Sequence, residues 1–216
     1  ISQEQHCYLL GFFWADCYFG EGKGGRYSFS FEIKTDDFEH VWGLIKENLG
    51  FSKFSTRTRV NSKNSQSRIT MAQQKYMTFL KNNNFHKKEQ GCPIFHSISE
   101  KNQPFFIKGF LDGDGSVSLD KNNSFRVSFN GAYGQSWDFL EDFLKKHQLD
   151  YNIYNKRRTV QRNGIEKIHS YSVVEVLKNK NKIQFCELMK KCGKIGLMRK
   201  VDVLERFLQM RKSKGL

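Results

Sequence analysis

The chain has 216 residues and a formal net charge of +14, from 36 basic and 22 acidic side chains. Apolar residues make up 38% of it, which is enough for a packed core, but no apolar stretch is long enough to cross a bilayer. With no basic amphipathic helix either, we expect no membrane partner, and the positive charge favours a polyanion such as a nucleic acid.

The five cysteines are odd in number and contain no C-x-x-C pair. We interpret them as reduced, buried thiols of an intracellular protein, because a disulfide framework or a zinc site needs other spacings. Heavy use of Lys, Asn, Phe and Ile indicates an AT-rich gene, as in a mitochondrion, a chloroplast or a phage.

The first half of the chain is predicted to run helix, hairpin, helix, hairpin, helix. Its clearest strand begins at Arg26, where Tyr27, Phe29, Phe31 and Ile33 alternate with polar residues. The glycine-rich run 20–25 before it predicts a turn. The predicted elements are a buried helix over 5–15, a strand over 26–34, a helix from Thr35 or Asp36 to Leu49, strands over 51–60 and 67–71, and a helix over 72–81.

The second half repeats this order. Its predicted elements are a buried helix over 104–113, strands over 117–119 and 125–130, a helix around 137–144, strands over 151–158 and 168–174, and helices over 179–191 and 198–212. We therefore place two units at 1–84 and 104–216, joined by a polar linker over 85–103.

The two halves also match residue by residue. With an offset of 98 positions (109 − 11 = 98), Gly109 falls on Gly11 and Asp114 on Asp16. The strand segment 125–129 falls on 27–31 with its apolar face in register. A match that keeps register across a helix, an acid and a strand predicts an internal duplication.

The duplication predicts a pseudo-twofold pair of helices. Gly11 and Gly109 have no side chain on the packing face, so the two backbones can approach closely. Asp16 and Asp114 then lie side by side, where they raise each other's pKa unless divalent cations neutralise them. Either acid alone reads as a turn residue, but the pair favours Mg²⁺ and phosphodiester hydrolysis. Asp112 has no such partner, because its equivalent is Trp14.

Two segments of the sequence resemble the motifs of a known family. Residues 9–17, LLGFFWADC, and 107–115, IKGFLDGDG, resemble the two motifs of the single-chain LAGLIDADG homing endonucleases. The resemblance implies a mixed α+β fold of two αββαββα units, whose antiparallel half-sheets form a saddle on DNA. It implies a monomer that cuts both strands of a long, loosely palindromic DNA site.

The resemblance also implies roles for individual residues. Asp16 and Asp114, the last acids of the motifs, would coordinate Mg²⁺; we expect Mn²⁺ to substitute, and Ca²⁺ to support binding without cleavage. A basic residue after the third helix of each unit would support catalysis, which points to Lys87 or Lys88 and to Lys200. Cys17 departs from the usual motif glycine, and we expect that glycine to allow a left-handed helix end.

The polar faces of the predicted strands are the candidate DNA-binding surface. Arg suits guanine, Asn suits adenine and Lys mostly holds phosphate, although any one residue could simply be solvated. The candidates are Arg26, Ser28, Ser30, Lys34, Lys53, Arg57, Arg59 and Arg68 in the first unit, and Ser124, Arg126, Ser128, Asn130, Tyr154, Lys156, Arg158 and His169 in the second. Strands of about ten residues span about ten base pairs, so two half-sheets would read about twenty.

Two alternatives stay open from the sequence. The same basic sheets would suit an RNA-binding maturase of a group I intron, or a DNA-binding protein whose nuclease has lapsed. The paired acids argue against the second alternative, because a protein that only binds has no need of them.

Overall fold

The computed structural model describes residues 3–21, 27–49, 54–61, 64–71, 73–162 and 165–213. For residues 21, 54–61, 64–66, 162 and 165 it describes the backbone alone. The predicted candidates Arg26 and Lys53 lie outside the described residues, and so do the side chains of Arg57 and Arg59.

Both halves have the predicted element order, and the mixed α+β class is confirmed. The first half comprises α1 (Gln3–Asp16), β1 (Tyr18–Glu21), β2 (Tyr27–Lys34), α2 (Thr35–Leu49), β3 (Phe54–Asn61), β4 (Asn64–Met71) and α3 (Gln74–Asn82). The short helix α4 (Pro93–Ser97) follows. The second half comprises α5 (Gln103–Asp114), β5 (Gly115–Leu119), β6 (Phe125–Ala132), α6 (Asp138–Lys146), β7 (Tyr151–Arg162), β8 (Ile165–Val176), α7 (Asn179–Lys190) and α8 (Met198–Ser213).

Strand β1 is the main element that the sequence pattern does not predict. It pairs with β2 from Tyr18 opposite Ser30 to Glu21 opposite Tyr27. It has only four residues and includes Gly20, so its pattern is too short to separate from the glycine-rich run. Pairing with β2 supplies the backbone hydrogen bonds that its own sequence does not predict.

Each half forms a four-stranded antiparallel sheet, with the orders β1-β2-β4-β3 and β5-β6-β8-β7. The motif helices pack on these sheets through equivalent aromatic pairs. The ring centroids of Phe12 and Phe31 are 5.6 Å apart, and those of Phe110 and Phe129 are 5.5 Å apart. Because these pairs are related by the same offset as the motifs, equivalent residues meet in both halves, although the rings are edge-on in the first pair and stacked in the second.

Helices α1 and α5 meet at their glycines in a reciprocal manner. A Cβ atom added to Gly11 would overlap the Phe106 carbonyl, and one added to Gly109 would overlap the Tyr8 carbonyl. Phe106 is the equivalent of Tyr8, so each helix makes the same contact with the other. Because the two backbones approach so closely, the ends of both helices lie side by side.

The segment 85–103 packs against both motif helices. Phe85 lies edge-on to Trp14 at 5.1 Å, and Phe95 contacts Phe106 at 5.3 Å. Residues 88–90 and 100–102 form short 3-10 helices around α4. All five cysteines are free and buried, as predicted. Among the described helices, none combines the length and the apolar character required to span a membrane.

Candidate active site and nucleic-acid interface

The two motif acids end the two central helices. Asp16 is the last residue of α1, and Asp114 is the last residue of α5. The helices touch at this end, because a Cβ atom added to Gly113 would overlap that of Ala15 and lie 3.2 Å from Oδ2 of Asp16. The Asp16 carboxylate therefore lies beside the end of the opposite helix.

Both carboxyl groups bind protons more tightly than ordinary aspartates. Burial raises the pKa of Asp16 to about 6, against the opposing pull of nearby cations, Lys88 first among them. Burial raises the pKa of Asp114 to about 7, and the negative charge of Asp16 adds to the rise. For both acids, the loss of hydration on burial thus outweighs the attraction of the nearby lysines.

Two lysines hold the ends of the motif helices. Lys88 donates a hydrogen bond from Nζ to the Ala15 carbonyl at 2.6 Å, whereas Lys87 is exposed. Lys200 donates to the carbonyls of Leu111, Asp112 and Gly115 at 2.6, 2.8 and 2.7 Å. A cation at a helix C-terminus is favoured because the unpaired carbonyls there carry partial negative charge.

Lys200 is the more deeply embedded of the two lysines. Its residue is 6% exposed, while Lys88 is partly exposed. Burial lowers the pKa of Lys200 to about 8, and the charge of Asp112 opposes that shift. The second helix end is therefore tied more firmly than the first.

Asp112 lies in a buried network behind the site. Its carboxylate accepts hydrogen bonds from Tyr8 Oη at 3.1 Å and from the Leu197 backbone nitrogen at 2.8 Å. Lys108 Nζ lies 2.8 Å from Oδ1, and both side chains of this ion pair are almost fully buried. The network joins α1, α5 and the chain just before α8, so Asp112 braces the element that carries Lys200.

The expected reason for the motif glycine is wrong. Gly115 has φ −83° and ψ 155°, which is extended backbone, and Cys17 is not among the positive-φ residues of the described chain. Glycine is needed at position 115 for space, since a Cβ atom there would overlap the Leu111 carbonyl and lie 2.6 Å from Leu111 Cδ1. Around Cys17 the chain leaves room for a small, buried side chain, and its nitrogen still bonds to the Phe13 carbonyl at 3.1 Å.

The chemistry of the two acids fits a divalent cation. Their raised pKa values reflect the loss of hydration on burial, which the nearby lysines offset only in part, and a hard cation with oxygen ligands would stabilise the charged form. The described residues contain no cluster of three or more His, Cys, Asp or Glu side chains suited to a metal. Asp16 and Asp114 are therefore the side chains that would hold such an ion, with further oxygen ligands from outside the protein.

Each acid opens into a cleft on the polar face of its own sheet. We use the term polar face for the side of a sheet opposite its buried Phe residues. The first cleft is lined by Asp16, Tyr18, Ser30, Phe31, Glu32 and Arg68. The second is lined by Asp114, Asn130, Gly131, Ala132, Arg158, His169, Ser170 and Tyr171. The acids and the polar faces thus form one continuous surface in each half.

The described candidates of the first polar face differ in exposure. Lys34 is exposed, and Ser28 and Arg68 are half-buried. Ser30 is only 5% exposed and accepts a hydrogen bond from Arg68 Nη2 at 2.9 Å. Ser30 therefore orients Arg68 and offers little surface of its own. Tyr18 lies at the edge of the cleft and is 66% exposed, and it is not among the predicted candidates.

The second polar face has an exposed set and a held set. The exposed candidates are Ser124, Arg126, Lys156, Arg158 and His169. Asn130 and Tyr154 are held: Asn130 Nδ2 donates to the Asp114 carbonyl at 3.1 Å, and Tyr154 Oη donates to Glu175 Oε2 at 2.7 Å. Ser128 is half-buried and pairs with Glu175 across the sheet.

Tyr171 and Glu175 also lie on this face and are not among the predicted candidates. Both lie on the same side of β8 as His169. The period of two that places His169 on this face therefore also predicts Tyr171 there, whereas Glu175 lies beyond the predicted end of the strand at Val174. No such period points to Tyr18, because the pattern of the four-residue strand β1 is too short to predict a strand.

Of three comparisons with known proteins, the one with solved structures identifies the fold of this chain. No protein-family model matches the chain, and no curated protein matches it in sequence. Among solved structures, the chain is similar to I-DmoI in complex with DNA and Ca, with a TM-score of 0.54, 16% identity and coverage of 86% of this chain and 88% of that one.

Two further structures have the same fold. The homing endonuclease I-WcaI, bound to its DNA recognition sequence, has a TM-score of 0.58 and 12% identity over 94% of this chain and 86% of that one. The N-terminal LAGLIDADG domain of DUF199/WhiA has a TM-score of 0.51 and 14% identity over 93% and 86%. The chain therefore has the LAGLIDADG fold in its single-chain form, with both motifs in one polypeptide.

Proposed function

We propose that this chain is a site-specific endonuclease that cuts both strands of a DNA duplex near the centre of a long, loosely palindromic site. The observation that carries the proposal is the pair of half-buried acids, Asp16 and Asp114, at the touching ends of α1 and α5. Each acid opens onto a polar sheet face in a chain of net charge +14.

A duplex supported by both polar faces would present one strand to each acid. The sheets would hold the phosphates and base edges on either side, and the helix ends would lie at the middle. The two faces differ in sequence, as Lys34 is the equivalent of Ala132 and Tyr18 of Ser116. The two half-sites should therefore differ, which is why we propose only loose symmetry.

The cofactor proposed for the acids is Mg²⁺. Asp16 and Asp114 would hold the ion, which would activate a water molecule and stabilise the leaving oxygen of the phosphodiester. I-DmoI has been solved with its target DNA in the presence of Mg or Mn, and with DNA and Ca. We propose that the same ions act on this chain, with Ca²⁺ supporting binding alone.

The protein's own contribution is to position the acids. Lys88 and Lys200 fix the two helix ends, and Asn130 fixes the Asp114 carbonyl. Both ammonium groups lie close enough to the acids to act on their pKa values, so they would also attract a scissile phosphate. We therefore assign both lysines a role in the proposed reaction.

The fold by itself does not establish cleavage, because one fold can carry different functions. This chain shares its fold with a domain of DUF199/WhiA as well as with homing endonucleases. The test is selection of cleaved sequences from a randomised duplex library with Mg²⁺, with Ca²⁺ as the binding-only arm. We expect one enriched site of about twenty base pairs. Asp16→Asn and Asp114→Asn should each lower cleavage at least a hundredfold and leave binding in Ca²⁺ intact.

A matched control is Asp202→Asn, the same change on the exposed side of α8, which should cleave like the parent protein. Binding without an enriched cleaved sequence would replace the nuclease by a DNA-binding function. Tight binding to a structured intron RNA, again without DNA cleavage, would favour the maturase.

A further inference from the structure

An acid lies on the polar face of the second sheet, among its cations. Glu175 on β8 pairs with Ser128 on β6 and with Asn152 on β7. Paired residues project from the same side of a sheet, so Glu175 shares a face with Arg126 and Asn130. On a surface that meets phosphates, a carboxylate repels the ligand and weakens binding to every sequence.

The carboxylate of Glu175 is held in place. Tyr154 Oη donates to its Oε2 at 2.7 Å, and the Tyr154 ring also supports Lys156 Nζ at 4.8 Å from its centroid. Burial, with the hydrogen bond to Glu175, raises the pKa of Tyr154 to about 12, so its hydroxyl remains a donor. Glu175 thus has one oxygen occupied and a fixed orientation.

The charge of Glu175 is not neutralised within the described part of the chain. No lysine, arginine or histidine there lies within 4.0 Å of it as an ion-pair partner. Glu141 makes a useful contrast, because it also accepts from a tyrosine hydroxyl, that of Tyr151 at 2.9 Å, but pairs with Lys145 at 2.9 Å. Glu141 is a satisfied structural acid, whereas Glu175 retains an acceptor facing the proposed DNA.

In the major groove the donors that a carboxylate can meet are exocyclic amino groups, and Glu typically accepts from cytosine N4. Resting on the proposed function, we infer that Glu175, positioned by Tyr154, selects a cytosine at one position of the half-site read by the second sheet. Glu175 is two residues from Val173, which pairs with Asn130 beside Asp114. Two residues span about 7 Å, or roughly two base pairs, so the position should lie in the inner part of that half-site.

The test is the base preference at every position of the duplex library, measured by binding in Ca²⁺, for the parent protein and for Glu175→Gln. We expect the parent to prefer cytosine about tenfold at one inner position, and the variant to lose that preference or turn it to adenine, which suits Gln. Tyr154→Phe removes the hydroxyl that orients the carboxylate, and should weaken the same preference at the same position only.

Glu166→Gln is the matched control. It makes the same change in charge on the same strand, at an exposed position of the opposite face. If charge alone matters, both Gln variants will bind all sequences more tightly with unchanged preferences, and the inference is overturned. If the parent itself enriches no sequence, the proposed function fails first; a parent with a clear site that Glu175→Gln leaves unaltered refutes the inference alone.

Discussion

The ends of α1 and α5 occupy equivalent positions but are held by different neighbours. Lys88 holds one carbonyl at the first end, whereas Lys200 holds three at the second. Behind the second end lies the buried pair of Lys108 and Asp112, where the first half has Leu10 and Trp14. The first half supports its acid by aromatic packing and the second by a polar network.

This difference shows what two halves of a duplicated site must share and what they can change. The acid and the close glycine contact lie on the pseudo-twofold axis, so a change in one half is felt directly by the other. The supporting residues lie behind the helix ends, where Lys88 and Lys200 make different contacts in the two halves. Polar support is the more fragile, since removing one member leaves the others buried without partners.

The largest effect should come from Asp112→Ala. It leaves Lys108 charged and buried, and removes the acceptor of Tyr8 and of the Leu197 nitrogen. Breaking a buried pair in this way costs about 3–5 kcal/mol of unfolding free energy, measured by urea denaturation. The control Asp142→Ala, at an exposed acid of α6, should cost less than about 0.5 kcal/mol. A similar loss in both variants would mean that the network does not brace the second half.

Replacing the two site lysines should give the next largest effect, and an unequal one. Lys200→Met removes three hydrogen bonds to helix-end carbonyls and should lower the unfolding free energy by about 3 kcal/mol. Lys88→Met removes one such bond and should cost about 1 kcal/mol. Urea denaturation of both variants measures these two losses. Equal losses of unfolding free energy would contradict the proposed difference between the two helix ends.

The acids should destabilise the metal-free protein in a pH-dependent manner. Between pH 4 and pH 7 the folded protein holds protons on Asp16 and Asp114 that the unfolded chain releases, because their folded pKa values are about 6 and 7. Their cost to stability therefore grows as pH rises through this range. Asp114→Asn should stabilise the protein by on the order of 2 kcal/mol at pH 8 in EDTA, and by nothing near pH 4.

Asp16→Asn should show the same trend over a lower range, ending near pH 6. Since the charge of Asp16 contributes to the shift of Asp114, the double variant should gain less than the sum of the two single gains. Thermal melts across the pH series measure all three. A gain that grows toward low pH would refute the assignment of raised pKa values.

The smallest change in unfolding free energy should come from Cys17→Gly, and it should be smaller than that of Gly115→Ala. Cys17→Gly restores the usual motif residue but removes a small buried side chain, and should cost about 1 kcal/mol or less. Gly115→Ala forces a methyl group against Leu111 and should cost about 2 kcal/mol. If Cys17→Gly were stabilising, the first helix end would be strained after all. Calorimetry at a pH where the acids are ionised resolves both changes.

Much of the fold follows from local patterns. Alternation in Tyr27–Lys34 and helical spacing around Trp42 and Leu140 predict their elements, because burial on one face imposes a period of two or 3.6 residues. Strand β1 failed this test because four residues with one glycine leave too short a pattern. The sequence pattern predicts a shorter hairpin than the 12-residue strands β7 and β8 form, since the outer end of the hairpin extends beyond the core and has no apolar face.

By itself the sequence determined the duplication, the order of elements and the pairing of Asp16 with Asp114, because register over 98 positions is contained in the chain itself. The tertiary structure brought Lys88, and not the exposed Lys87, to the Ala15 carbonyl, gave Asp112 its bracing contacts, and turned Asn130 and Glu175 toward their partners. These contacts join residues far apart in the chain, such as Lys88 with Ala15 and Leu197 with Asp112. No local period encodes them, because they exist only once the glycine contact has brought the two helix ends together.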